Sequence, residues 1–202
     1  MPIPEKLPKY YEKDLLDHVI DRTVAQEGEL TAADLNKAVV AAQVQCGIDQ
    51  YLAAAKGMSS DELRAESHDS ARLSRHLEAV GQKRPPRCHA HAIVAGKHEY
   101  AAILRVIMAK LQIRIDDPDN GCWLPENTAA TPHPAFPKAI PHSRIHRFNY
   151  YFWLRTRLGS IRQEGAFRIT LKLTARHLHE RTFPEYVMLK KGHGLPEGGR
   201  HA

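Results

Sequence analysis

The residues His89-Ala90-His91-Ala92-Ile93-Val94, then Asp119-Asn120-Gly121-Cys122-Trp123-Leu124-Pro125, then Pro141-His142-Ser143-Arg144-Ile145-His146 with Tyr150-Tyr151 behind them, decide how this chain is read. The first piece alternates and then turns apolar, which suits a short strand ended by Ala95-Gly96. The second is a turn, Pro118-Asp119-Asn120-Gly121, that returns as a strand. In the third, Pro141 fits the first position of a helix and places His142 and His146 one turn apart on the same side. One imidazole from a strand and two at i, i+4 from a helix are enough to hold a borderline-soft divalent cation and leave coordination positions open. A histidine pair at that spacing arises readily in a chain with 13 His, so the order of the three segments carries the reading.

Outward from this stretch, Ile103, Val106, Ile107 and Leu111 recur at helical spacing and predict a helix over 99–112. Residues 113–117 read as a short extended piece, forming a hairpin with Cys122-Trp123-Leu124 that delivers Asn120 near its turn. Four prolines make 125–140 a tethered loop. The helix begun at Pro141 extends through Leu154 and Leu158 until Gly159, another helix covers 161–180, and the chain from Pro184 onward reads as loose. His98, His133, His177 and His179 read as surface or structural residues, and the run Tyr150 to Trp153 as core.

Upstream, Gly81-Gln82-Lys83-Arg84-Pro85-Pro86-Arg87 excludes helix and marks a boundary, giving a helical segment over 1–80 and a second domain over 81–202. Residues 1–9 hold three prolines and read as an extended lead-in; helices are then expected from Tyr11 to Gln26, from a cap at Thr31 with Asp34 to about Leu52, and from Ser59 or Ser60 to about Val80. None of these helices carries a recognisable catalytic constellation. The fold class is therefore α+β, mostly α, with a small two-strand core embedded in helices.

The charge divides at the same boundary. Residues 1–80 carry 9 Lys and Arg against 14 Asp and Glu, net −5, while 81–202 carry 20 against 9, net +11. A cationic surplus around a metal site points to a polyanionic substrate, because each phosphate neutralised releases counterions. No stretch approaches the roughly 18 apolar residues of a membrane span, and Met1 to Lys6 lacks the apolar core of a signal peptide. Cys46, Cys88 and Cys122 are odd in number and scattered, which argues against a disulfide framework.

A histidine in a strand, Asn-Gly in a turn and a histidine pair opening a helix, in that order over about residues 88–158, resemble the AHH family of the HNH/endonuclease VII superfamily, the ββα-metal nucleases. The supporting pieces are Ala90-His91 with Ile93-Val94, Leu111-Gln112-Ile113, Asn120-Gly121 with Trp123-Leu124-Pro125, and His142-x-x-x-His146 with Tyr150-Tyr151. The resemblance implies a ββα-metal core and makes His91, His142 and His146 the ligands of one divalent ion, Mg²⁺, Mn²⁺, Ni²⁺ or Zn²⁺. It makes Asn120 a brace for the loop and a positioning group for catalysis. From their positions, Arg144 between the helix ligands and Arg87 before the strand are the candidates for the cation beside the scissile phosphate, and Arg87, Arg147 and Arg155 for contacts to nucleic acid. The resemblance also expects a second histidine directly after His91 as general base, and that position is Ala92. An alanine methyl cannot accept a proton, and losing a general base costs a factor of roughly 10² to 10⁴, so the chain as it stands is expected to be inactive or impaired. A replacement that disarms a toxic nuclease and a natural variant that has lost catalysis or moved the base to His89 both fit.

By the same resemblance the chain is a DNase toxin effector, exported from a bacterium by a signal-peptide-independent secretion system to act in a target-cell cytoplasm, with a cognate immunity protein as partner. RNA as the substrate, and a non-catalytic metal-containing module that binds nucleic acid, are the alternatives. A metal-stapled interaction protein, for which the +11 half is incidental, is a further one.

Overall fold

The computed structural model describes residues 13–26 and 28–196; Tyr11 and Glu12 of the first expected helix, the opening segment and the last residues lie outside them. Its elements are α1 (Leu15–Val24), α2 (Ala32–Ala54), α3 (Ser60–Ala65), α4 (Ser70–Ala79), β1 (Cys88–Ala92), α5 (Ala102–Lys110), β2 (Gly121–Pro125), α6 (His142–Ile145), α7 (Phe148–Leu158) and α8 (Glu164–Glu180). The class is α+β and mostly α, as expected. No helix among the described residues is long and apolar enough to cross a membrane.

The helix starts follow the local chemistry. Asp14 with Asp17, Thr31 with Asp34, and Ser59 with Glu62 each form a reciprocal capping box that satisfies two otherwise orphaned backbone N–H groups. The helix expected from Ser59 or Ser60 to Val80 is instead two. α3 stops at Ala65, the backbone runs extended at Glu66, and Asp69 caps α4 through the N–H groups of Ala71 and Arg72. The cause is long-range: Glu66 turns away to accept from Arg114 Nε at 3.0 Å and from Tyr51 Oη at 3.0 Å.

β1 and β2 pair antiparallel, with His91 opposite Cys122 and Ala92 opposite Gly121. The expected hairpin of 113–117 with 122–124 is thus corrected: β2 takes its partner from across α5, and 113–117 forms turns. Each face of this two-strand sheet is covered. Cys88, Ala90, Ala92 and Trp123 pack against Leu73 and Leu77 of α4, while Cys122 and Leu124 join the main core with Tyr150, Leu154 and Phe167 of α7 and α8. A Cβ at Gly121 would lie 2.8 Å from Leu73 Cδ1 and 3.0 Å from Leu77 Cδ2, so a glycine here lets α4 close on the strand. Leu73 and Leu77, before the Gly81 to Arg87 segment, thus share an apolar cluster with residues that follow it.

Asn120, with no exposed surface, fastens the turn before β2: its Nδ2 donates to Val94 O at 3.1 Å and Ile115 O at 2.8 Å, and its Oδ1 accepts from Val94 N at 2.8 Å. Replacing it with alanine leaves buried backbone groups unpaired, and Asn120→Ala is expected to lower unfolding stability by about 3 kcal/mol in urea titration. A loss below about 1 kcal/mol would contradict the bracing role.

Two further expectations are corrected. The single helix over 141–158 breaks at His146, whose ψ of 82° ends α6, and α7 restarts at Phe148. The stretch after Pro184 is packed as far as it is described: Val187 is fully buried, and Asn149 Nδ2 donates to Tyr186, Lys190 and His193 carbonyls.

Candidate metal centre

β1 brings His91 beneath the break between α6 and α7. The ligand-capable nitrogens of His91, His142 and His146 lie within 4.8 Å of one another. His91 is fully buried; the other two line an open cleft of about 540 Å³ together with Ala92, His98, Tyr151 and His68.

Hydrogen bonds fix which nitrogen each ring presents. Tyr150 Oη donates to Ile93 O at 3.0 Å, so toward His91 Nε2, 3.1 Å away, it accepts. His91 then carries its proton on Nε2 and a lone pair on Nδ1, a buried atom with no hydrogen-bond partner. Such an orphan costs roughly 1–3 kcal/mol unless something binds it. His146 Nδ1 meets Tyr151 Oη at 2.7 Å, and its Nε2 lies 3.3 Å from His142 Nε2. With Nδ1 donating to Tyr151, His146 Nε2 faces His142 with its lone pair. Three neutral imidazoles converging on one point, two of them held from behind by tyrosine hydroxyls, form a donor set that fits a divalent ion of the imidazole-binding kind.

The electrostatics agree. Burial, then neighbouring His146 and His142, push the proton affinity of His91 far down. Burial and His89 lower that of His142, and burial with His142 lowers His146 to about 4. For His146 the folded value lies below the ordinary 6.5, so the unfolded chain takes up the proton first as pH falls. Its contribution is therefore complete above about pH 6.5 and is lost between there and pH 4. The metal-free protein is expected to lose on the order of 2 kcal/mol across that window in melts at stepped pH, from this shift and its desolvation. A flat profile from pH 7 to 4 would contradict the buried neutral triad.

Of the other sequence-predicted residues, Ala92 is 4% exposed and forms part of the cleft wall. Of the expected cations, Arg144 and Arg87 are not on the cleft wall. Arg144 lines a separate hollow of about 650 Å³ beside Pro137, Lys138 and Arg181. Arg87 is exposed and pairs with Glu126 at 3.3 Å. Arg147 donates to the Arg144 and Met188 carbonyls. Arg155 lines a third hollow with Tyr100 and Phe148, sharing Tyr151 with the cleft. The cation on the cleft wall is Lys97. His89 is half exposed, its ring 5.8 Å from that of His142 and its Nε2 3.9 Å from Glu126 Oε2.

Tyr150 and Tyr151 read in the sequence as core residues, and His68 and Lys97 stand outside the motif segments. The tyrosines could have been found from their place four and five residues after His146; His68 gives no local signal, because a fold contact brings it in.

No curated protein and no solved structure matches the chain. Residues 73–178, more than half of it, match a nuclease family of the HNH/ENDO VII superfamily with a conserved AHH. The chain belongs to the AHH family of nucleases.

Proposed function

We propose that this chain is a metal-dependent endonuclease that hydrolyses phosphodiester bonds of DNA, with catalysis weakened by alanine at position 92. The observation that carries the reading is the unpartnered Nδ1 of buried His91, in a ring whose ligand-capable atom lies within 4.8 Å of those of His142 and His146. His91, His142 and His146 hold one divalent ion in this reading. When bound there, such an ion supplies Lewis acidity toward a phosphate and lowers the proton affinity of water.

The chain's own residues do the rest. Tyr150 and Tyr151 hold the His91 and His146 rings in the ligating tautomer. Asn120 ties the end of β1 to the turn before β2 and so fixes the height of His91. Lys97, exposed and on the cleft wall, is a cation available to an incoming phosphate. Arg155, Arg87 and the rest of the +11 half draw the backbone to the surface, an attraction that weakens with salt. DNA is preferred to RNA on the family resemblance, as are the role of exported toxin, the signal-peptide-independent route into a target cytoplasm, and the cognate immunity protein.

The test sets supercoiled plasmid beside a structured RNA, each with Mg²⁺, Mn²⁺, Ni²⁺ or Zn²⁺ and a chelator control, using the Ala92→His protein. Chelator-sensitive nicking of plasmid with RNA left whole is the expected result. Cleavage of RNA alone makes the substrate RNA; tight binding of DNA with no cleavage makes this a non-catalytic binding module, the reading Ala92 favours.

A further inference from the structure

We infer that His68, oriented by Asp116, acts as general base in this chain and stands in for the histidine missing at position 92; the inference rests on the nuclease reading above. His68 lies before residue 73, where the family match begins, in the short connection that splits the expected third helix. That connection carries the ring into the cleft whose wall also holds Ala92, His142 and His146.

The arrangement has the parts a base requires. His68 Nδ1 hydrogen-bonds Asp116 Oδ1, and Asp116 is completely buried. The Asp69 N–H donates to Asp116 Oδ2 at 2.9 Å, and Arg72 Nε does so at 2.7 Å. Burial raises the proton affinity of this carboxylate, but the bonds from His68, Asp69 and Arg72 outweigh it, so Asp116 stays charged. A charged acceptor on one side fixes the proton on Nδ1 and leaves the Nε2 lone pair for the cleft, the base-and-orienter logic of hydrolytic sites. His68 keeps 25% of its side chain exposed, enough to meet a water molecule.

The opposite wall is cut to fit. A Cβ at Gly96 would lie 2.5 Å from His68 Cβ, so glycine at 96 is what lets His68 enter. His68 does not belong to the trio of mutually close ligand nitrogens, which separates it from the metal ligands. His89, the other candidate for a displaced base, is turned toward Glu126 and is not part of the cleft wall.

In the reaction, His68 Nε2 takes a proton from water and the water oxygen forms the new bond to phosphorus. The bond from phosphorus to the 3′ oxygen breaks with its electron pair remaining on that oxygen, which takes a proton from solvent. His68 returns its proton to solvent, and Asp116 moves no proton throughout.

The test is a cycle of four full-length proteins on supercoiled plasmid with Mn²⁺: the chain as it stands, His68→Gln, Ala92→His, and the double substitution. Glutamine retains a donor for Asp116 but no base, which protects the fold. The chain is expected to nick slowly, His68→Gln to slow it by roughly 10²-fold or more, and the same change beside Ala92→His to alter the rate less than about threefold. Mn²⁺ affinity by calorimetry is expected to be equal in the chain and His68→Gln within about threefold. Equal loss in both backgrounds, no loss in the chain, or a tenfold drop in Mn²⁺ affinity would overturn the inference. So would a chain that never nicks while Ala92→His does, with the nuclease reading intact. If Ala92→His is also inert, the nuclease reading itself fails and the inference falls with it.

Discussion

In a chain that also carries His68→Gln, Ala92→His raises the rate of plasmid cleavage by roughly 10² to 10⁴-fold, the range a positioned general base contributes. In the chain with His68 present the gain is smaller, about tenfold, because one base is already in the cleft. The physical reason lies at the end of β1. Position 92 follows the buried ligand His91; its methyl packs with Leu73 and Leu77 of α4 and also borders the cleft of about 540 Å³, which is the space an imidazole there has to turn into. Its backbone is held opposite Gly121, so the new side chain starts from a fixed point. The check is initial rates at equal metal and salt. A gain below threefold in the His68→Gln background would place the base elsewhere.

The second large effect is the loss of His142. His142→Ala is expected to abolish stoichiometric binding of Zn²⁺ or Ni²⁺ in calorimetry and to reduce cleavage by on the order of 10³-fold, as several kcal/mol of charge stabilisation disappear. His142 is partly exposed at the start of α6, so the change removes a ligand and little packing. His91→Ala is a poorer choice, since the ring is fully buried and bonded to Tyr150, and its removal leaves a cavity. Retained one-to-one binding by His142→Ala at unchanged affinity would contradict the three-histidine site.

Much of this was legible locally. Thr31 with Asp34 is a capping box in the sequence and in the fold, and Gly121 closes the turn that Pro118 opens. The i, i+4 spacing of His142 and His146 brings the rings together even though the helix breaks at His146, because α6 supplies the one turn the pair needs. What local pattern could not contain is pairing over distance. β2 reads as half of a hairpin with 113–117, yet its partner is β1, and in that pairing Leu124 enters the main core while Trp123 packs with Leu73 and Leu77. The break at Glu66 is set by Arg114, 48 residues away, and it is this break that swings His68 onto Asp116. Periodicity carries α3 into α4 without interruption; a part-buried ion pair overrides it.

The cations show the same limit. Arg144 sits between two ligands in sequence, and helical rotation turns it outward to a different hollow, while Lys97, unremarkable in the sequence, stands on the cleft wall.

The central claim is that His91, His142 and His146 hold one divalent ion, and anomalous diffraction from crystals soaked in Zn²⁺, collected on either side of the zinc edge, tests it most directly. A single strong peak is expected within about 2.0–2.1 Å of His91 Nδ1, His142 Nε2 and His146 Nε2. A map with no peak among these three nitrogens, or with its principal peak at other residues, would contradict it.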